Sequence, residues 1–263
     1  MNTFSQRPLG QTGLTVSALG LGTVKLGRNQ GVKYPSAFEL PSDAEAQTLL
    51  GTALECGINF FDTAPAYGIS EARLGQLLGK SAHDWVIGSK TGEEFINGES
   101  HFDFSAEHTR LSVKRSLKRL NRDWLDLVLV HSDGNDVDII ENSGAFEALA
   151  ALKQAGTIRA FGMSSKTVAG GILAARESDC VMVTYNPGHT GEKAVIDECL
   201  RLNKGVLLKK ALASGHLNSD DADPVQHCLD FAFAHPGVSS AIIGTINPQH
   251  LRDNIAKAKR SLT

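Results

Sequence analysis

Four residues in this 263-residue chain carry side chains that could do chemistry together. Asp62 follows the apolar run Ile58-Asn59-Phe60-Phe61, Lys90 follows Trp85-Val86-Ile87-Gly88-Ser89, and His131 follows Leu125-Asp126-Leu127-Val128-Leu129-Val130. Tyr67 lies just beyond Asp62, in Ala64-Pro65-Ala66-Tyr67-Gly68. A tyrosine hydroxyl titrates near ~10 and is a weak acid at neutral pH. A neighbouring lysine cation favours phenolate, lowers that value and strengthens the acid. A buried lysine needs an opposite charge, which Asp62 can supply. A histidine can hydrogen-bond a substrate oxygen and turn it toward the phenol. The set suits proton donation to an oxygen that gains negative charge, as when a carbonyl accepts hydride.

Taken singly, each residue has a plainer explanation. Asp62 could be a turn or N-cap residue, Lys90 a solvated strand end, Tyr67 a packed loop aromatic and His131 a satisfied structural histidine. Whether they converge depends on the elements that carry them.

Short apolar runs alternate with longer amphipathic stretches along the whole chain. After a turn-rich opening with Gly10 and Gly13, Ala18 to Gly22 reads as a first strand. Asp43 to Glu55 has apolar residues at helical spacing and is followed by Cys56-Gly57, where a left-handed helix cap would sit. Ser70 to Leu78 reads as a helix, as does Ser105 to Leu120, with Ser105 at its N-cap and basic residues in its last turn. Ala145 to Ala155 is a further helix, closed by Gly156. Strand–helix pairs then begin at Ile158, Val181, Val206 and Ala241, the helix after Val206 being short and polar at its start, and a last helix runs from Pro248 to about Ala258. Strands separated by helices are parallel with right-handed crossovers. Eight such units over residues 1–263 predict a single (β/α)8 TIM barrel rather than an open doubly wound sheet. The carboxyl ends of barrel strands open on one face, so Asp62, Lys90 and His131 should share a concavity, with Tyr67 folding back over it. Two inserts, Gly27 to Ser42 and Gly92 to Phe104, fall on that same face, as does the segment Asp133 to Ser143.

Composition narrows the class further. Hydrophobic residues make up 41% and charged residues 21%, and the formal charge is −3, so no broad basic field would draw nucleic acid or an anionic membrane. No apolar run is long enough for a membrane span, and the first residues lack a signal-peptide core, which predicts a cytoplasmic protein. Cys56, Cys180, Cys199 and Cys228 are dispersed and read as reduced thiols. The histidines form no metal-binding motif, so no metal is expected.

The segment GINFFDTAPAYGISEARLGQLL, from Gly57 to Leu78, closely resembles the signature of the aldo-keto reductase family. Further landmarks follow in order: SKTG around Lys90, LVHSD around His131, GMSS at 162–165, YNP at 185–187, LASG at 212–215 and IIGTINPQHLRDN at 242–254. The resemblance covers essentially the whole chain. It implies a barrel enzyme that binds a nicotinamide dinucleotide in extended form, NADP(H) ahead of NAD(H), and acts on a small carbonyl or alcohol substrate. Consistently, Gly20-Leu21-Gly22-Thr23 lacks the third glycine and acidic partner of a Rossmann fingerprint. By the same resemblance Tyr67 is the general acid, Lys90 and Asp62 tune it, and His131 orients the carbonyl.

The resemblance also implies the nucleotide contacts. Gly22 and Thr23, beside Asp62, would lie under the nicotinamide ribose, and Ser164 and Ser165 would hold the carboxamide where relatives have Ser-Asn. Met182 stands where many members have a glutamine, and a thioether cannot donate. Lys209 falls where an aromatic commonly stacks on the nicotinamide. Leu212, Ser214 and Gly215 resemble a pyrophosphate loop. Gly244, Thr245 and Asn247 lead into the last helix, whose N-terminal amides suit a phosphate. The arginine that many relatives place on the 2′-phosphate is absent, with Ile246 and His250 at the corresponding positions, and Asn254 matches an adenine contact. Two other classes share the features: a Schiff-base lyase using Lys90 or Lys209, and a redox-sensing subunit that holds the nucleotide with little turnover.

Overall fold

Two short strands, β1 (Gln6–Pro8) and β2 (Thr15–Ser17), pair antiparallel with Gln6 opposite Ser17. The turn-rich opening is thus a hairpin. Its Leu9, Leu14 and Val16 are buried against Phe60, Leu127, Leu129, Ala160, Cys180 and Leu207. Phe60, Cys180 and nearby Gly205 begin their strands, so the hairpin plugs the end of the barrel where strands start. The computed structural model describes residues 4–79, 85–217 and 220–263.

The first alternating units are β3 (Leu19–Gly22), α1 (Asp43–Glu55), β4 (Phe60–Asp62), α2 (Ser70–Leu78) and β5 (Val86–Thr91). The insert after β5 is itself a hairpin, β6 (Glu93–Ile96) with β7 (Glu99–Phe102), in which Glu93 pairs with Phe102. Next come α3 (Ala106–Leu120), β8 (Leu125–His131), α4 (Asp136–Asn142), α5 (Ala145–Gln154), β9 (Ile158–Ser164) and α6 (Val168–Glu177). The chain finishes with β10 (Cys180–Thr184), α7 (Lys193–Arg201), β11 (Gly205–Lys209), α8 (Pro224–Phe233), β12 (Ser240–Ile243) and α9 (Pro248–Ser261). Strands β3, β4, β5, β8, β9, β10, β11 and β12 close on themselves as an all-parallel eight-stranded (β/α)8 barrel.

Local signals explain the helix boundaries. Ser42 and Glu45 form a reciprocal capping box at the start of α1, and the Ser105 hydroxyl accepts the His108 amide at the start of α3. Asn121 ends α3 in the left-handed region at φ 53°. Inside the barrel, the Phe60 ring needs space on both sides. A Cβ on Gly20 would lie 2.7 Å from that ring, so only glycine fits on the flanking strand.

Two segments differ from the sequence reading. Asp133–Ser143 is not merely a loop, because Asp136 begins α4 and is buried. Its carboxylate accepts the Lys166 and Thr167 amides and the Thr167 hydroxyl, which ties α4 to the end of β9. After β11 the described residues form a 3-10 turn, Ala213–Gly215, and α8 begins at Pro224. Lys210, Ala213 and Ser214 all adopt positive φ there, a strained run of non-glycine residues at the barrel rim. No helix among the described residues is long and apolar enough to cross a membrane.

Candidate active site

Register explains the convergence. Gly22 pairs with Asp62 across β3–β4, Lys90 with Leu129 across β5–β8, and His131 with Ser164 across β8–β9. All of these lie at or near the ends of parallel strands, on one rim. Lys90 Nζ donates to Asp62 Oδ1 at 2.5 Å and to the Thr63 carbonyl at 2.9 Å. The Tyr67 hydroxyl lies 3.4 Å from Asp62 Oδ2, and Lys90 Nζ is 4.7 Å from the centre of the Tyr67 ring. The Tyr67 and His131 rings meet edge to face at 6.3 Å. All four expected chemical residues therefore face one concavity.

The electrostatics depart from the simple expectation for Tyr67. Burial raises its pKa well above the ordinary value, and the negative charge of Asp62 and the neighbouring Tyr34 and Glu93 push the same way. Lys90 does not reverse this. Its charge is taken up by Asp62 at 2.5 Å, while the second oxygen of that carboxylate faces the phenol. Tyr67 is thus held firmly as the neutral proton-bearing phenol.

One acidic residue at the site escaped the sequence reading. Glu93, the first residue of β6, places Oε2 2.7 Å from His131 Nδ1, a short approach poorly aligned for a linear hydrogen bond. Ser100 on the paired strand donates to Glu93 Oε1 at 2.6 Å, and Arg28 Nη1 lies 4.0 Å from that same oxygen. Burial opposes ionisation of Glu93, but the combined pull of His131, Ser100 and Arg28 prevails and holds its pKa at about 2. Arg28 also donates to the Ala66 carbonyl and stacks over Phe95, which joins the first insert, the Tyr67 turn and the hairpin. A Cβ on Gly27 would lie 2.3 Å from the Tyr67 carbonyl oxygen, so the root of that insert needs glycine to pass so close.

The concavity has a volume of about 830 Å³ and runs from Phe102 and His131 to Asn254 and Lys257 on α9. Among the described residues lining it are eight lysines and arginines against three carboxylates, in a chain whose overall charge is −3. That concentration of cations suits an elongated polyanion such as a dinucleotide. Gly22, Ser164, Met182, Lys209, Leu212, Ser214, Gly215, Gly244, Thr245, His250 and Asn254 all line it. The 27–42 insert bridges the rim: a Cβ on Gly244 would lie 3.2 Å from the Tyr34 hydroxyl, and one on Gly215 3.3 Å from Pro35.

Three of the expected nucleotide residues do not line the cavity. Thr23 is fully buried, donating to the Asp62 carbonyl and accepting from the Ser70 hydroxyl, so it braces the rim from behind. The Ser165 hydroxyl lies 3.1 Å from where a Gly171 Cβ would sit, which turns it toward α6. Asn247 is the N-cap of α9, and its side chain accepts the Gln249 and His250 amides. Those amides are occupied, so the helix terminus offers less to a phosphate than its sequence suggests.

Lys209 is tied down rather than free. Its Nζ donates to Ser164 Oγ at 2.9 Å and to the Ser165 carbonyl at 2.5 Å, spanning from β11 to β9 over Met182 of the intervening β10. Burial lowers its pKa to about 8, partly countered by Glu192 and reinforced by Lys210 and Lys166. A lysine in this place can cover a flat ligand with its stem and offer its remaining N–H. The described residues contain no group of three His, Cys, Asp or Glu side chains arranged as a metal site.

An eight-stranded parallel barrel carrying this tyrosine, lysine, aspartate and histidine at its strand ends defines a class of barrel oxidoreductases. The model of the aldo/keto reductase family matches residues 18–224, and the chain belongs to that family. Its members use nicotinamide cofactors, and membership supports an oxidoreductase activity on carbonyl or alcohol groups. A crystal structure from Pseudomonas aeruginosa, assigned as an aldo-keto reductase, is 55% identical with a TM-score of 0.90, covering 98% of this chain and 95% of that one. L-galactose dehydrogenase of Arabidopsis thaliana is 29% identical over 97% of this chain and 88% of its own length. Pyridoxal 4-dehydrogenase of Microbacterium luteolum is 26% identical, covering 100% of this chain and 95% of its own length.

Proposed function

We propose that this chain interconverts a small carbonyl compound and its alcohol, using NADP(H) in preference to NAD(H), with Tyr67 as the proton donor to the reacting oxygen. The observation that carries the reading is the shared placement of Tyr67, the Lys90–Asp62 pair and His131 at one end of a cation-lined cavity. When bound, the nicotinamide dinucleotide supplies or takes up the hydride. Gly22, Ser164, Met182 and Lys209 would line its nicotinamide half, and Leu212, Ser214 and Gly215 its pyrophosphate. Gly244, Thr245, His250 and Asn254 would line its adenosine half, with Thr23, Ser165 and Asn247 shaping the walls from behind. Tyr67 stays protonated across the working pH range and hands its proton to the substrate oxygen as charge develops there. Lys90, fixed by Asp62, sets a positive charge beside the phenol as it loses that proton. His131 orients the substrate.

Paired fluorescence titrations with NADPH and NADH, followed by a turnover screen on short aldehydes with the preferred nucleotide, test this reading. Tighter NADPH binding and nucleotide-dependent turnover are expected. Tight binding with negligible turnover across the screen would instead identify a redox-sensing subunit. A Schiff-base lyase is favoured by one observation, the Lys209 amine at about 8. Borohydride trapping of substrate without nucleotide would support it, and no adduct would remove it.

A further inference from the structure

Strands β5 and β11 each bring a lysine to the concavity, and the two charges are held differently. The Lys90 ammonium is spent on the Asp62 carboxylate. Lys209 Nζ donates to two neutral oxygens, the Ser164 hydroxyl and the Ser165 carbonyl, and among the described residues no carboxylate forms an ion pair with it. The charged or titratable groups around it are Glu192 before α7, Asp136 from α4, Lys166 after β9, the adjacent Lys210 and His131 from β8. Glu192 opposes the lysine charge most, yet burial raises its own pKa. With a pKa of about 8, Lys209 is mostly protonated at pH 7. Its place matters as much as its charge. Ser164, which accepts from Lys209 Nζ at 2.9 Å, pairs with His131 on the neighbouring strand, and the lysine charge is felt at the His131 ring. The ammonium therefore sits one strand away from His131, at the end of the concavity that holds Tyr67. Hydride passes only between atoms in contact, so a nicotinamide serving a carbonyl at Tyr67 must lie at this same end.

We infer that Lys209 is a specificity-determining residue that reads the redox state of the nucleotide, its unbalanced charge favouring the reduced, uncharged nicotinamide over the oxidised, cationic one. The inference rests on the nicotinamide-dependent reading of the site. The phosphates, adenosine and carboxamide are the same in both redox forms, so the cations along the rest of the cavity attract the two alike. A charge close to the ring is what separates them, because Coulomb energy falls with distance. Lys90 lies at the same end, but Asp62 balances it. In the reducing direction the disfavoured form is the product nucleotide, so the chain should release NADP+ readily and be little inhibited by it. By the thermodynamic cycle, weaker binding of the oxidised form also makes the bound reduced form a weaker hydride donor. The gain therefore lies in product release and not in the chemical step.

Isothermal titration calorimetry at pH 7 with NADPH, NADP+ and 2′,5′-ADP, which carries phosphates but no nicotinamide, tests this without turnover. NADH and NAD+ are titrated in the same way, so that a chain preferring that pair is still measured. The native chain should bind the reduced form at least about 10-fold more tightly than the oxidised form. Lys209→Met and Lys209→Gln, which remove the charge, should cut that ratio at least about 5-fold, chiefly by tightening the oxidised form, and leave 2′,5′-ADP within about 2-fold. Lys209→Arg keeps a cation there and should hold the native ratio within about 3-fold. A native ratio near unity, a ratio unchanged in the neutral variants, or a ratio lost equally in Lys209→Arg would overturn the proposal. So would a parallel weakening of 2′,5′-ADP in the neutral variants, which would assign the lysine to a phosphate. Absence of binding by every dinucleotide would instead defeat the nicotinamide reading itself.

Discussion

Lys90 Nζ and Asp62 Oδ1 form an ion pair 2.5 Å apart, with side chains 1% and 6% exposed. Such a pair must be judged by what its loss leaves behind. Removing Lys90 alone strands a buried carboxylate, a change that typically costs about 3–5 kcal/mol. Lys90→Met should therefore lower unfolding stability by roughly that amount, read from urea denaturation. Replacing both partners, as Lys90→Met with Asp62→Leu, should recover much of the loss while leaving turnover abolished. A double variant less stable than Lys90→Met would show that the pair does not act as a unit.

The direction of the Tyr67 shift carries its own consequence. Because burial and Asp62 raise its pKa, the phenol does not ionise below its usual value near ~10. Turnover in the reduction direction should show no fall from Tyr67 ionisation between pH 6 and about 9. Tyr67→Phe removes the donated proton but little volume, and should cut turnover by about 10²–10⁴ while leaving NADPH affinity within about 2-fold. A variant retaining native turnover would exclude Tyr67 as the acid.

The barrel and the convergence of all four chemical residues were legible because their signals are local, Tyr67 lying in the turn just after Asp62. Asp62, Lys90 and His131 each end an apolar run, and Ser42, Ser105 and Gly57 punctuate helices where such residues usually do. Glu93 was hidden because it reaches His131 only through the pairing of its hairpin. A signal was present: Asn97 and Gly98, at φ 52° and 88°, are the turn residues of a two-residue β-hairpin, and the strands on either side place Glu93 back at the rim. Thr23, Ser165 and Asn247 lie behind the cavity lining for a different reason. Position on a strand end says which rim a residue occupies, but not where its side chain turns: Thr23 bonds the Asp62 carbonyl and the Ser70 hydroxyl, Asn247 caps its own helix, and Ser165 faces α6 with its hydroxyl unpaired. The sign of the Tyr67 shift was equally out of reach, since it depends on how Asp62 divides its two oxygens between Lys90 and the phenol.

Lys209 should be distinguishable from the other lysines by its reactivity. With a pKa of about 8, its amine is neutral at far lower pH than an ordinary lysine near 10.5. Acylation of Lys209, followed by peptide mass spectrometry, should rise with a midpoint near pH 8, and bound NADPH should suppress it. The linkage runs in the same direction. The folded-state pKa lies below the unfolded value, so between about 8 and 10.5 the unfolded chain binds more protons and stability rises with pH through that window. Lys209→Met should remove that rise. A labelling midpoint above pH 10 would mean that the amine is solvated rather than held between Ser164 and Ser165.

Nucleotide choice should turn on side chains at the start of α9. The Gln249 and His250 amides are already accepted by Asn247, which leaves His250 itself and Lys257 as the cationic groups of α9 that line the cavity. Lys257 is engaged by the Asp223 carboxylate, so its charge is partly spent. Histidine is a weak and pH-dependent anion partner, whereas arginine keeps its charge and can bond a phosphate through two N–H groups. His250→Arg should tighten NADPH relative to NADH by about 10-fold, equivalent to roughly 1.4 kcal/mol. Asp223→Ala should free Lys257 and move the ratio the same way by a smaller factor. Both are read by fluorescence titration with the two nucleotides. If His250→Arg leaves the ratio unchanged, the 2′-phosphate lies away from the first turn of α9.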